Sequence, residues 1–193
     1  MIFIILALII LFIFYNEIGK NEVTELEIKN SGDNSKLDSI YESLKSYLRY
    51  IDYLSAINNV SLNIPKSWIL ATATQEAGNQ ITSGLDSKDI SGDNGKSLGF
   101  MQIQEVAFND VKARYNLRYS YFDIKDNSIN LFVGGLYLQM CYEKAVNEGS
   151  INPVLLTFRK YNSGINNAKE SNDISSNYGN SVFNYFTYYN NLV

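Results

Sequence analysis

From Met1 to Tyr15 the chain carries no charged side chain and is built almost wholly of Ile, Leu and Phe. A buried core helix of the domain that follows would rarely be this apolar on every face. Extended to Ile18 it would span about 27 Å at ~1.5 Å per residue, slightly short of a hydrocarbon core of about 30 Å. A cleaved signal peptide would want a basic leading region and a small-residue cleavage site, and neither is visible. The expectation is therefore an uncleaved signal anchor or transmembrane helix over residues 1–18, interrupted at its distal end by Glu17, with secretion after cleavage as the alternative. No Lys or Arg precedes the span and Lys20 is the nearest after it, so charge does not orient it.

Residues 19–36 are polar and close on Ser31-Gly32-Asp33-Asn34-Ser35, the composition of a linker. What remains, residues 37–193, suits one domain with a good core. Its apolar residues recur at helical spacing over Leu37, Ile40, Tyr41, Leu44, Tyr47, Leu48, Ile51 and Leu54. Pro65 suits the first turn of a second helix, which carries Trp68, Ile69, Ala71 and Thr72 and is expected to end near Ala77 at Gly78-Asn79. Residues 79–96 are rich in Gly, Asp, Ser and Asn and read as a long loop. Further helices are expected after Ile103 to roughly Tyr115, over Ile129–Glu148, from Asn152 with Pro153 in its first turn, and over the aromatic tail Tyr178–Leu192. No strand pair and no internal repeat stand out. The fold class is mainly α, a single domain behind one N-terminal span.

The chain has no histidine, which excludes Ser-His-Asp and Cys-His hydrolases and leaves acid–base work to carboxylates, tyrosines or lysines. Cys141 is the only cysteine and lies in an apolar stretch, as a small core residue would. A net charge of −4 argues against a nucleic-acid partner, which needs a basic face. Among the carboxylates Glu76 is singled out. It closes a largely apolar helix, near Trp68, Ile69, Thr72 and Ala73. An apolar wall and the negative end of the helix dipole would both raise its pKa toward that of a general acid. Asp86, Asp89 and Asp93 follow in the loop, where a second carboxylate or plain turn residues would sit.

Taken together and in order, four short elements resemble the soluble lytic transglycosylase (SLT) domain family. They are Gln75-Glu76-Ala77-Gly78-Asn79, Gly99-Phe100-Met101-Gln102-Ile103, Tyr161-Asn162-Ser163-Gly164, and Tyr178 with Val182 one turn on. The stretch Gly92–Ser97 before Gly99 is also similar to the small transglycosylases of secretion and conjugation systems. The resemblance runs from about Leu44 to Tyr188 and implies a lysozyme-like fold. It implies Glu76 as the single acid–base residue of a peptidoglycan lyase, with Gly99, Phe100, Met101, Gln102, Tyr161, Asn162 and Tyr178 around the substrate. No metal or cofactor is implied. Glycan strands are the implied partner, with the membrane through the N-terminal helix and a secretion, conjugation or phage apparatus as the machinery served. The domain would lie outside the cell membrane, where its substrate is. Two departures stand out: Ala77 replaces the serine usual after the glutamate, and Phe100 replaces a leucine, which should narrow the groove floor. A hydrolytic lysozyme of the same fold, and a weakly active wall-binding subunit, are the alternatives.

Overall fold

The apolar spacing that begins at Leu37 folds into helix α1 (Ser35–Asn58), which buries Ile40, Leu44, Leu48, Ile51 and Leu54 along one face. The computed structural model describes residues 34–168 and 177–193; the expected anchor over residues 1–18 and nearly all of the polar linker lie outside them. Residues from Ser35 to Val193 form one compact unit. Among the described residues no helix is long and apolar enough to cross a membrane.

Helix α2 (Lys66–Thr82) starts directly behind Pro65 and buries every residue from Ser67 to Thr74, so it is a central helix of the core. It does not stop at Gly78-Asn79 as its composition suggests. Ala77 leaves the helical conformation (φ −139°, ψ 16°), and the helix then resumes as far as Thr82. Two contacts hold this extra turn. A Cβ on Gly78 would stand 3.3 Å from Ile40 Cδ1, so the missing side chain lets α1 approach closely. The Thr82 hydroxyl also donates to the Gly78 carbonyl at 3.0 Å. Here glycine serves packing rather than termination.

The expected long loop is instead ordered by local hydrogen bonds. A 3-10 turn (Ser87–Asp89) leads into three two-residue strands, β1 (Ser91–Gly92), β2 (Ser97–Leu98) and β3 (Ile103–Gln104). They form an antiparallel sheet in the order β1-β2-β3, with Gly92 opposite Ser97 and Leu98 opposite Ile103. Strands of this length show no alternation for a sequence pattern to reveal. Helix α3 (Glu105–Tyr115) follows and ends on Asn116, whose left-handed backbone (φ 51°) closes it.

Helix α4 (Asn127–Asn147) is capped by Asp126, whose carboxylate accepts from the amides of Ser128 and Ile129. It is buried on all sides from Asn130 to Cys141 and packs against α1, α2, α3 and α5 (Pro153–Ser163). Helix α6 (Asn177–Tyr189) lies on α2 and α5. Its buried Tyr189 places its hydroxyl 2.9 Å from Thr74 Oγ1, tying the tail to the central helix. The architecture is mainly helical, with the small sheet at one edge.

Helix α4 also leaves room for the segment after β2. A Cβ on Gly134 would come within 2.7 Å of Met101 Cγ and 2.8 Å of its Cβ and Cε. Gly134→Ala should therefore overpack the core against the Gly99–Gln102 turn and cost about 1–3 kcal/mol, despite alanine's better helix propensity. A thermal melt of the variant checks this; an unchanged or higher Tm would mean that Met101 moves aside freely.

Candidate active site

Glu76 stands one residue before the break in α2, not at the helix end. The break lets the chain turn its carboxyl out of the core while Ala77, next in line, packs into it. The methyl of Ala77 is buried and does not line the cleft, so the serine missing there opens no gap beside the carboxylate. Trp68, Ile69, Thr72 and Ala73 are likewise core residues; the Trp68 indole packs edge-on to Tyr142, Phe158 and Phe186. From α6, the Tyr178 hydroxyl donates a short hydrogen bond to Glu76 Oε1.

Glu76 opens onto a cleft of about 630 Å³, whose walls include Asp93, Gln102, Gln104, Tyr161, Asn162 and Asn167. The sheet edge supplies one side. Asp93 accepts hydrogen bonds from Ser97 Oγ (2.7 Å) and Gln104 Nε2 (3.2 Å), which lock it across β2 and β3. It does so from a left-handed backbone (φ 52°), as do Asn94 (φ 58°) and Gln102 (φ 44°). Non-glycine residues in that region store strain that the surroundings must hold, and such residues cluster at functional sites.

What holds the turn between β2 and β3 is Asn130, fully buried on α4. Its Oδ1 accepts from the Met101 amide (2.8 Å), and its Nδ2 donates to the carbonyls of Leu98 (3.1 Å) and Ile124 (3.0 Å). Gly99 (φ 76°) passes so close that a Cβ there would fall 2.1 Å from Asn130 Nδ2. Only glycine meets both demands. Phe100 and Met101 are buried. Phe100 rests against Tyr47 of α1, with ring centroids 6.4 Å apart. The larger side chain that replaces a leucine is thus absorbed by the core and does not narrow the groove. Met101 offers the site only its backbone, while Gln102 does line the cleft.

The C-terminal end of α5 makes the opposite wall. The Tyr161 hydroxyl donates to the Met101 carbonyl (2.6 Å), joining the two walls under the cleft. Its ring meets that of Tyr137 edge-on at 5.5 Å, and the Tyr137 hydroxyl accepts from the Ile165 amide (3.3 Å). Asn162 is exposed on the rim.

Burial pushes the Glu76 carboxyl above its ordinary range; the Tyr178 hydrogen bond opposes this, and the charge of Asp93 adds to it. The helix dipole invoked from sequence is not the cause, because α2 continues past Glu76. Asp93 is held low by its Ser97 and Gln104 hydrogen bonds and stays ionised. The hydroxyls of Tyr178 and Tyr161 are raised well above the usual range, by burial first and by the Glu76 charge second, so both remain donors. Two carboxyls with pKa values pushed apart in one cleft is the arrangement that separates an acid from a permanent anion. Among the described residues no group of His, Cys, Asp and Glu could hold a metal ion.

Of the residues singled out in the sequence, Glu76, Gln102, Tyr161 and Asn162 line the cleft, and Tyr178 reaches it through Glu76. Gly99, Phe100 and Met101 shape it from beneath. Of the three loop aspartates, Asp93 is in the cleft; Asp86 accepts from Asn127 and, like Asp89, lies outside its lining. Sequence reasoning missed Asn130 and Tyr137. A lone asparagine inside the apolar run Ile129–Cys141 was the available signal, because a buried amide must find partners.

The family model of the transglycosylase SLT domain matches residues 54–184, a span that takes in every element around the cleft. Comparison with curated proteins finds no match, and neither does comparison with solved structures.

Proposed function

The chain belongs to the transglycosylase SLT domain family, and from that premise we propose that it is a peptidoglycan lytic transglycosylase with Glu76 as its acid and base. The mainly helical fold fits the lysozyme-like fold of that family. The observation that carries the reading is Glu76 itself: a carboxyl raised by burial, bonded to Tyr178, and open to a cleft on one side.

Protonated, Glu76 gives its proton to the glycosidic oxygen between N-acetylmuramic acid and N-acetylglucosamine as the bond from C1 to that oxygen breaks. The substrate's own N-acetyl carbonyl oxygen closes onto C1, a form of substrate assistance that needs no second carboxylate. Glu76, now ionised, takes the proton of the muramyl 6-hydroxyl, and that oxygen displaces the carbonyl at C1. The product carries a 1,6-anhydro end, no water is consumed, and Glu76 is reprotonated for the next cycle. Tyr178 donates to the carboxylate when it is charged. The amides of Gln102, Gln104 and Asn162 suit the N-acetyl groups of the sugar chain.

A second reading is favoured by one observation. Asp93 is an ionised carboxylate in the same cleft, and its charge is felt at Glu76. It could activate a water, which would make the enzyme a hydrolase. Digestion of purified peptidoglycan by the full chain in detergent, read by mass spectrometry of the muropeptides, separates the two. Anhydromuramyl ends are expected. Reducing ends, heavier by one water, would replace the lyase reading and make Asp93→Asn the next variant. No products, with binding to sacculi retained, would leave a wall-binding subunit.

The proposal includes a membrane tether through residues 1–18, supported by the uncharged apolar run Met1–Tyr15 within them. It would confine cutting to wall near the membrane, with the domain on the outer side. Fractionation of cells expressing the chain should find it with the membranes; recovery in the medium would mean that the segment is cleaved.

A further inference from the structure

We propose that Lys160 is a positioning residue of this site: its buried ammonium holds the 164–168 segment as a fixed wall of the cleft, an inference that rests on the reading of the cleft as the glycan-binding site.

Lys160 is fully buried (0 % exposed) on α5, directly before Tyr161. Its Nζ donates to the carbonyls of Ile165 (3.1 Å) and Ala168 (3.0 Å) and pairs with Glu148 Oε2 (2.7 Å) just beyond the end of α4. All three ammonium protons are thereby placed. A charge taken out of water is costly unless it is paired and fully hydrogen-bonded, and an apolar side chain of similar length would fill the same space without that cost. What such a side chain would not do is hold two backbone carbonyls of one short segment.

That segment is a wall of the cleft. Gly164 and Asn167 line it. The turn is closed by the Asn167 amide donating to the Gly164 carbonyl (3.0 Å) and by Asn167 Nδ2 donating to the Ser163 carbonyl (2.7 Å). Its Ile165 amide donates to the Tyr137 hydroxyl. These bonds make the turn rigid in itself. The bonds from Lys160 fix where the far half of the turn sits relative to α5, and Glu148 fixes Lys160 relative to α4. Glu76 is held separately, by α2 and Tyr178. Loss of Lys160 should then weaken substrate binding while leaving the chemical step in place, the pattern of a raised KM with kcat retained.

The test compares Lys160→Met with the double variant Lys160→Met/Glu148→Leu in the full chain. The single variant leaves Glu148 partly exposed with Lys144 as its remaining partner, whereas the double variant removes both charges of the Lys160–Glu148 pair and should melt close to the parent. If Lys160 positions the wall, both variants show KM for glycan strands raised about tenfold with kcat within about threefold of the parent. Both also show faster amide hydrogen exchange over residues 164–168. If the double variant recovers the parent's KM and exchange protection along with its Tm, Lys160 is merely structural and the proposal falls. Should the single variant not fold, the double variant alone decides by the same criteria. Should neither fold, Glu148→Gln carries the test: faster exchange confined to 164–168 supports the proposal, and unchanged exchange there overturns it. Should the parent itself cleave nothing, the functional reading fails. Exchange over 164–168 and affinity for glycan oligomers then still decide the role of Lys160.

Discussion

Glu76→Gln is expected to remove glycan cleavage, by about 10³-fold or more, since it deletes the cleft carboxyl whose raised pKa lets it both give and take the proton. Glutamine keeps the size of the side chain and an oxygen to accept from Tyr178, so the fold should survive. It should in fact gain stability. The Glu76 pKa is raised, by burial above all, so the folded state favours the protonated carboxyl. The stability which that preference contributes is fully present below the ordinary glutamate range and is lost as pH rises through the folded value. Glutamine has no proton to lose there. The Tm of the variant relative to the parent should therefore climb from about pH 4 toward neutrality and then level off. Anhydromuramyl products read by mass spectrometry check the first half of this expectation and melts across the pH range check the second. Residual cleavage near the parental rate would remove Glu76 from its role. A parent that gains on the variant as pH rises would mean that Tyr178 outweighs burial. The same titration limits activity, which should fall at the alkaline side as the acid form of Glu76 disappears.

The site was legible largely because its four elements are short, ordered and chemically distinct, although they lie far apart in the chain. Glu76, Gln102, Tyr161 and Tyr178 were named from that order. The reasons some of them matter were not legible. Phe100 and Met101 face the core rather than the groove, which depends on how the turn after β2 meets Gly134 and Tyr47. The raised Glu76 carboxyl comes from burial with Asp93 nearby, not from a helix end, because Gly78 lets α1 close in and α2 continues. Helices α1 and α4 showed themselves through their apolar residues, and α5 through Pro153 in its first turn. The two-residue strands left no pattern to find, and Asp93 was one loop aspartate among three until Ser97 and Gln104 fixed it. The enclosure of Lys160 depends on the path of the chain after Gly164, which no local pattern carries.

Asn130→Leu should be strongly destabilising, although Asn130 is buried and lies outside the cleft lining. Leucine nearly matches the volume but strands the Met101 amide and the carbonyls of Leu98 and Ile124 in the core, each of which loses its bond to Asn130. A buried polar group left without a partner costs about 1–3 kcal/mol, and three share one pocket here, so a total of about 3–5 kcal/mol is expected. For a domain of this size that corresponds to a Tm lower by roughly 10 °C. Activity should fall further than stability requires, because the left-handed Gln102 is strained and depends on the same anchor. Gly99→Ala attacks this joint from the other side, since its Cβ would fall on Asn130 Nδ2 from a backbone that alanine resists. If one joint carries both effects, the double variant Gly99→Ala/Asn130→Ala costs clearly less than the sum of its single variants, because the clash disappears with the amide. A sum that simply adds would mean that Gly99 and Asn130 support the turn independently. The cleft edge would then rest on the sheet hydrogen bonds rather than on the buried amide of α4.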